Sequence, residues 1–476
     1  MYSFSFPTSG KTRIEHDLLG DKAVPVEALF GVQTLRGIEN FQISTSRLSD
    51  YPCFIQALGY IKMGAALANH ELGLLPDSIK DAIVAAAQEL IYGKHQEHFP
   101  LDMIQGGAGT SVNMNANEVI ANRALEMMGK EHGEYQFCHP NDHVNMAQST
   151  NDAYPAAVHL AFYMTHQKVK KSLVDLIASF EKKADLFAHI IKMGRTQLQD
   201  AVPMTLGQSF GAYASALRNE IKNLDYAAES FLTINMGATA IGTGITAEPG
   251  YAEACIRHIR NITGWNIVLA DDLVEATHDT SCLYGYSSAL KALAIKTSKI
   301  CNDLRLLSSG PRTGLAEINL PPKQPGSSIM PGKVNPVIPE VMNQICFRVI
   351  GNDISITFGA EAAQLELNVM EPVMVHSLFE SCHWMANGFD TLRIECIEGI
   401  TANVDHCRRL AENSIGIVTA LKPFIGYANC TEVAKEALET GGSVYQLVLD
   451  KKLLTKEQLD KILDPQYMIR PVKIVI

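Results

Sequence analysis

The chain has 476 residues, of which 47% are hydrophobic and 19% are charged, and its formal net charge is −11 at pH 7. This composition is typical of a globular protein of two or three domains, and the acidic balance argues against a nucleic-acid-binding surface. No apolar run approaches the roughly 18 residues of a membrane span, so no membrane association is expected.

The N-terminal segment lacks the continuous apolar core of a signal peptide, and the cysteines include no CxxC pair. We therefore expect a cytoplasmic protein with reduced thiols. Short helical patterns at residues 78–92 and 115–128 lie between Gly- and Pro-containing breaks, which predicts a mixed, mainly helical N-terminal domain over residues 1–142.

A long helix is predicted next, at residues 156–191, because apolar residues recur there at helical spacing and no proline interrupts them. At 1.5 Å per residue such a helix is roughly 50 Å long, which requires an elongated bundle. Further helices are predicted at 206–234, 282–308, 337–364 and 372–400. Together they predict a central bundle of five helices over residues 143–396.

Residues 397–476 indicate a small C-terminal helical domain, and strand signals are few and short throughout. The predicted fold class is thus all-α, with three domains. The apolar stripes of the long helices are wide for a monomer, which indicates helix-on-helix association between subunits.

Four segments rich in hydroxyl and amide side chains interrupt these helices, at residues 109–115, 148–152, 194–200 and 326–336. Each lies near a predicted helix end, where capping alone would explain any one of them. Helices that run up and down would bring such ends into one layer. Taken together, the segments therefore predict one polar pocket.

The most informative segment is the last one, with the sequence GSSIMPGKVNP. It lies between Pro321 and Pro339, so it is predicted to be a loop. Its hydroxyls, amide and lysine, without any carboxylate, suit an anion and charge that develops on oxygen. The spacing between its glycines and Val334 after Lys333 exclude a P-loop, whereas an ordinary surface loop remains an alternative on spacing alone.

This loop resembles the signature of the fumarase and aspartase superfamily. Residues 13–20 (RIEHDLLG), 34–41 and 413–419 are similar to the aspartases of that superfamily, and the resemblance extends over nearly the whole chain. It implies an all-α, three-domain subunit and a homotetramer whose central helices form one large bundle. It also implies active sites that three subunits share.

The resemblance implies reversible deamination of L-aspartate to fumarate and ammonia, through removal of the C3 proton and a dianionic aci-carboxylate. Ser327 matches the general base, which requires a stabilised alkoxide. The implied ligands of the aci-carboxylate are Thr110, Ser149, Thr150 and Ser328. Those of the other carboxylate are Thr196, Lys333 and Asn335, and those of the amino group are Asn151 and Gln197.

Two alternatives to this activity remain at the level of the sequence. Fumarases carry His at the position of Gln197, although Glu340, the partner of that His, is present. Because Gln cannot donate a proton to a leaving hydroxide, the ammonia-lyase is favoured over a fumarate hydratase. A catalytically silent structural member is the other alternative, since the superfamily includes lens crystallins.

No cofactor is expected, and activation by a divalent cation is left open. Cys138, His139, Asp142 and His143 are ligand types for zinc, but Pro140 breaks helical spacing and no second ligand pair stands out. A structural or secondary-site role is therefore predicted for them. The glycine pattern at residues 242–247 follows a predicted helix rather than a strand, which argues against a dinucleotide site.

Overall fold

The computed structural model describes residue 6 and residues 8–469. The helices are α1 (Val32–Asn40), α2 (Pro52–Glu71), α3 (Asp77–Ile91), α4 (Thr110–Met127), α5 (Thr150–Leu186), α6 (Leu206–Glu229), α7 (Tyr251–Thr263), α8 (Glu275–His278), α9 (Ser281–Leu307), α10 (Val337–Glu361), α11 (Glu371–Glu395), α12 (Val404–Asn413), α13 (Val418–Thr440), α14 (Val444–Asp450), α15 (Lys456–Ile462) and α16 (Pro465–Met468). The strands are β1 (Thr12–Asp17), β2 (Gly20–Pro25), β3 (Ile191–Thr196), β4 (Gln199–Thr205), β5 (Thr233–Ile234), β6 (Val268–Leu269), β7 (Ile318–Asn319) and β8 (Thr401–Ala402).

The strands form four two-stranded sheets, β1-β2, β3-β4, β5-β6 and β7-β8. None of these sheets is large enough to organise a core, so the predicted all-α class is confirmed. Among the described residues, none of the helices combines the length and the apolarity that crossing a bilayer requires.

The chain divides into two compact units. The first unit comprises Met1–Lys170, Lys222–Ala294 and Phe347–Met385, and the second comprises Lys171–Ile221, Ile295–Cys346 and Ala386–Ile476. The five long helices α5, α6, α9, α10 and α11 contribute residues to both units. This division does not test the predicted boundaries at residues 143 and 397, which stay predictions.

The five long helices pack against one another within each unit, as a bundle requires. In the first unit the joining contacts are Phe162 stacked on Phe379 at 4.3 Å, His166 with Tyr286 and Asp225, and Ser287 with Asp353. In the second unit they are Ser172 with Asp390, Tyr213 with Asp303, and Asn343 with Ser298.

The longest helix differs from the prediction at both ends, since α5 begins at Thr150 rather than 156 and ends at Leu186 rather than 191. Pro155 lies inside it and has no N–H to donate to the carbonyl of Asn151. Asn235 Nδ2 donates to that carbonyl instead, at 3.0 Å, so a tertiary contact makes the early start possible.

Residues 194–200 lie beyond the predicted end of the long helix at 191, and they form the turn end of a β-hairpin that the sequence did not predict. β3 pairs with β4 in antiparallel fashion, and the turn residues Gln197 and Leu198 both have positive φ, 55° and 62°. This backbone is that of a primed hairpin turn, which matches the twist of paired strands. The turn lacks the Asn-Gly or Asp-Gly pair that would have indicated it in the sequence.

The other four predicted long helices were right in position and differ mainly at their C-terminal ends. α6 ends at Glu229 rather than 234, because Thr233 and Ile234 pair in parallel with Val268 and Leu269. α11 ends at Glu395 rather than 400. The C-terminal part is helical as predicted, and it packs around buried residues such as Leu421, Val433 and Val448.

Candidate active site

The loop 326–336 of the second unit runs between β7 and α10 and is irregular, as predicted. Two hydrogen bonds close it: Gly326 N donates to Lys333 O at 2.8 Å, and Asn335 Nδ2 donates to Gly326 O at 2.7 Å. A Cβ on Gly326 would lie 2.6 Å from Lys333 O, which explains the glycine at this position. The loop is therefore a closed ring of backbone rather than an extended surface segment.

Ser327 lies half-buried inside this ring. Its Oγ accepts hydrogen bonds from Ile329 N at 3.2 Å and from Met330 N at 3.0 Å. Two backbone N–H groups that point at one oxygen stabilise negative charge on it. Ser327 and Lys333 also line a cavity of about 510 Å³, and Ser328 and Lys333 are exposed.

Thr196 and Gln197 lie at the exposed end of the β3–β4 hairpin, also in the second unit. The hairpin is held at Glu317, which is fully buried. Its carboxylate binds Arg195 Nη1 at 2.5 Å and Lys192 Nζ at 2.8 Å. The buried ion pairs restrict the hairpin and so hold its two polar residues in place.

Thr110 and Thr150 are the first residues of α4 and α5, in the first unit. Asn113, in the first turn of α4, donates from Nδ2 to Thr150 Oγ1 at 3.2 Å and so joins the two helix starts. Helix N-termini carry free N–H groups and partial positive charge, which favour an anion. Two of the four polar segments thus meet within this unit, and the single pocket for all four stays a prediction.

The segment 149–152 is held by the loop that follows β5. The buried carboxylate of Asp152 accepts from Ser149 N at 2.9 Å, from Gly237 N at 3.2 Å and from Thr239 N at 3.0 Å. Burial raises the pKa of Asp152 to about 6. Asn151 Nδ2 donates to Ala240 O at 2.7 Å. The amide oxygen of Asn151 is therefore the group suited to accept from an ammonium.

The predicted site residues fall into two sets. Thr110, Ser149, Thr150 and Asn151 lie together at the helix starts of the first unit, whereas Thr196, Gln197, Ser327, Ser328, Lys333 and Asn335 lie in the second unit. Two residues to which the sequence gave no role also belong with the first set. Asn113, within the segment 109–115, contacts Thr150 directly, and Lys62 contacts Asn113. The only signal for Lys62 was its position in the otherwise apolar stretch 57–68.

The histidines around Pro140 take part in local backbone structure. His139 Nδ1 accepts from Asn141 N at 3.1 Å and from Asp142 N at 3.2 Å, and His143 Nδ1 accepts from His139 N at 2.8 Å. Burial raises the pKa of the Cys138 thiol to about 12. These contacts support a structural role, and the absence of a metal ion at this cluster stays a prediction.

A different group, His95, Glu97 and His98, has ligand atoms within 4.8 Å of one another. His98 Nδ1 accepts from Leu29 N at 3.2 Å, so the neutral ring carries its proton on Nε2. Burial also lowers the pKa of His98 to about 4. A proton on the nitrogen that faces Glu97, at 3.7 Å, is unfavourable for a metal ligand.

Comparison with known proteins identifies the family. Residues 20–351 match the family model described as lyase, and residues 417–470 match that of the fumarase C C-terminus. The chain is 55% identical to the aspartate ammonia-lyase of Pseudomonas aeruginosa, over 97% of each chain, and 54% identical to that of Helicobacter pylori, over 96% of this chain and 98% of the relative. The aspartate ammonia-lyase of Escherichia coli is 53% identical, over 97% of each chain.

Solved structures agree with this assignment. A fumarate lyase:delta crystallin from Brucella melitensis bound to cobalt has a TM-score of 0.94 at 51% identity, over 97% of this chain and 100% of that chain. A class II fumarase from Schistosoma mansoni has a TM-score of 0.89 at 33% identity, over 96% and 99%. This chain therefore belongs to the aspartase family of the fumarase/aspartase superfamily.

Proposed function

We propose that this chain is an aspartate ammonia-lyase, which reversibly converts L-aspartate to fumarate and ammonia. The observation that carries the proposal is the Ser327 oxygen, which accepts two backbone N–H groups within the closed loop. The proposal is supported by relatives of that name, which are 53–55% identical to this chain over almost its whole length.

In the proposed reaction Ser327 removes the proton from C3 of aspartate. An unperturbed serine hydroxyl is almost never ionised near neutral pH, so the alkoxide must be stabilised. Ile329 N and Met330 N are placed to do so. The electron pair left on C3 moves into the neighbouring carboxylate, which becomes a dianionic aci-carboxylate. Loss of ammonia from C2 then gives fumarate.

Stabilisation of the aci-carboxylate is the largest electrostatic demand of this reaction. We assign it to the hydroxyls of Thr110, Ser149, Thr150 and Ser328. Thr196, Lys333 and Asn335 would hold the other carboxylate. Asn151 and Gln197 would face the amino group, and the Asn151 side chain is already oriented by its bond to Ala240 O.

Gln197 favours the ammonia-lyase over a hydratase, because an amide cannot protonate a leaving hydroxide whereas ammonia leaves as a neutral molecule. The direct test is the absorbance of fumarate, followed separately with L-aspartate and with malate. We expect fumarate to form from aspartate. Strong turnover of malate with none of aspartate would replace the proposal with fumarate hydratase, and no turnover of any succinyl compound would indicate a structural protein.

The role of Ser327 is tested with the variant Ser327→Ala. We expect kcat to fall by a factor of about 10³ or more, since the base is lost, while succinate still binds. Unfolding temperature serves as the control for folding. A folded variant that binds succinate and turns over aspartate near the wild-type rate would remove Ser327 from the role.

We further propose a homotetramer with active sites shared between subunits, as the superfamily resemblance implies. The support in this chain is an apolar stripe on α10, where Phe347, Ile354 and Phe358 are 61%, 54% and 69% exposed at helical spacing. Light scattering should give a mass four times the 52.1 kDa of one chain, and Phe358→Lys should lower it. A wild-type monomer that turns over aspartate would contradict the shared site.

We also propose that the enzyme is cytoplasmic and needs no organic cofactor. Activity that persists after exhaustive dialysis would agree with the absence of an organic cofactor. Titration of dialysed enzyme with Mg²⁺ and with EDTA tests whether a divalent cation activates it.

A further inference from the structure

A buried lysine lies beneath the helix starts of the first unit. Lys62, on α2, is completely buried, and its Nζ donates to three amide oxygens. These are Asn113 Oδ1 at 2.7 Å, Gln148 Oε1 at 2.8 Å and Asn145 Oδ1 at 3.1 Å. Burial lowers the pKa of Lys62 to about 7, and in the charged form these neutral groups accept from all three donors of the ammonium. Such an arrangement compensates a buried charge without a direct ion pair.

The lysine determines which way the Asn113 amide points. An ammonium only donates hydrogen bonds, so the oxygen of the amide must face it and the NH₂ group must point elsewhere. Asn113 Nδ2 donates to Asn145 Oδ1 at 3.1 Å and to Thr150 Oγ1 at 3.2 Å. The orientation of this amide follows from the chemistry of its partner.

The orientation of Asn113 in turn determines the role of the Thr150 hydroxyl. A hydroxyl has one proton to donate. Since the Thr150 oxygen accepts from Asn113, its proton remains available to another acceptor. Under the proposed function that acceptor is the aci-carboxylate.

We propose that Asn113, oriented by Lys62, is a positioning residue that makes the Thr150 hydroxyl a hydrogen-bond donor to the substrate carboxylate. This inference rests on the proposed function. It predicts that the polarity of the Asn113 side chain, rather than its size, controls the rate. Asn113 itself does not touch the substrate in this scheme.

The variant Asn113→Asp tests the polarity with almost no change in shape. A carboxylate still accepts from Lys62 but has no N–H for Thr150, so the Thr150 proton would turn toward Asp and away from the substrate. Because the lost bond strengthens only as charge develops, we expect kcat to fall by about 10- to 100-fold, with KM changed by less than about threefold.

A matched control is Asn117→Asp, one helical turn further along α4. Asn117 Nδ2 also donates to Asn145 Oδ1, at 3.1 Å, and no bond of Asn117 to Thr150 occurs among the described residues. Its kcat should stay within about threefold of wild type. A fall equal to that of Asn113→Asp would show that added charge in the network is responsible, and would overturn the inference.

Thr150→Ala completes a double-mutant cycle. If Asn113 acts through Thr150, adding Asn113→Asp to Thr150→Ala should lower kcat by less than about threefold further. The same 10- to 100-fold loss in both backgrounds would overturn the inference. If Asn113→Asp does not fold, Asn113→Ser replaces it, because a serine side chain is too short to reach Thr150. The same fall in kcat in the wild-type background, and the same small further fall in the Thr150→Ala background, are then expected.

Turnover of aspartate by the wild-type enzyme separates failure of the proposed function from failure of the positioning role of Asn113. Wild-type protein without turnover of aspartate would refute the proposed function. Wild-type protein with turnover, together with an Asn113→Asp variant that keeps kcat within twofold, would refute only the positioning role.

Discussion

Substituting Gly326 by alanine should disable the signature loop without removing any catalytic group. The added Cβ would lie 2.6 Å from Lys333 O and 2.8 Å from Asn335 N, and both are backbone atoms. Ordinary van der Waals contact between such atoms begins at about 3.5 Å, so Gly326 and the backbone of residues 333–335 would have to move apart by up to about 1 Å. The side chain cannot avoid this by rotation, because a Cβ has no alternative position.

The magnitude follows from what holds the loop closed. The two closing hydrogen bonds, Gly326 N to Lys333 O and Asn335 Nδ2 to Gly326 O, contribute about 0.5–1.5 kcal/mol each. A displacement of about 1 Å of a reacting group can itself cost about 100-fold in rate. We therefore expect kcat/KM for aspartate to fall by about 100-fold or more, while the unfolding temperature changes little, because the loop contributes little to the core.

The control within the same loop is Gly332→Ala. Gly332 has a φ of 81°, and a Cβ there would have no atom within 4 Å. The cost of this substitution is therefore only that of the left-handed backbone, about 1–2 kcal/mol, which corresponds to at most about 30-fold in rate. Both variants are measured by fumarate absorbance. A Gly326→Ala enzyme as active as Gly332→Ala would refute the reasoning that closure of the loop positions Ser327.

Two further predictions concern stability. Arg123, which forms a two-point ion pair with Glu89, lowers the pKa of that carboxyl to about 2. Because the folded pKa is lowered, the stability that Glu89 contributes is complete above about pH 4.5 and is lost as the pH falls toward 2. The variant Glu89→Gln should therefore lower the free energy of unfolding by about 1–3 kcal/mol at pH 7 and flatten its dependence on pH between about 4.5 and 2. An unchanged acid profile in urea titrations would contradict this prediction. The variant Glu317→Gln leaves Lys192 and Arg195 without their buried counter-charge and should lower the free energy of unfolding by about 3 kcal/mol in the same titration. The KM for aspartate should rise, because the hairpin that carries Thr196 is no longer held by these ion pairs. An unchanged KM would show that the hairpin does not need Glu317 for its position.

Sequence patterns predicted the long helices well because their apolar residues repeat at helical spacing, a local property of the chain. The loop 326–336 was also predictable, since its prolines and glycines exclude regular structure. Its resemblance to a superfamily signature then supplied roles for Ser327, Lys333 and Asn335. The closing hydrogen bonds of the loop were not predictable, because they depend on backbone conformation.

The errors occurred where a distant partner decides the local structure. α5 can start at Thr150 because Asn235, 84 residues away, donates to the carbonyl that Pro155 leaves free. The β3–β4 hairpin was not predicted, since its turn has none of the usual turn residues. In both cases the local signal was weaker than the contact that overrode it.

The sequence by itself therefore determined the all-α class, the positions of the long helices and the segments proposed to carry the chemistry, because these depend on residue type and short-range spacing. Tertiary structure alone decided the orientation of the groups in those segments. Lys62 orients Asn113 across 51 residues of sequence, and Asn113 reaches Thr150 across 37. Hydrogen-bond polarity of this kind arises only when the helices have packed, since no spacing rule connects the three residues before they meet.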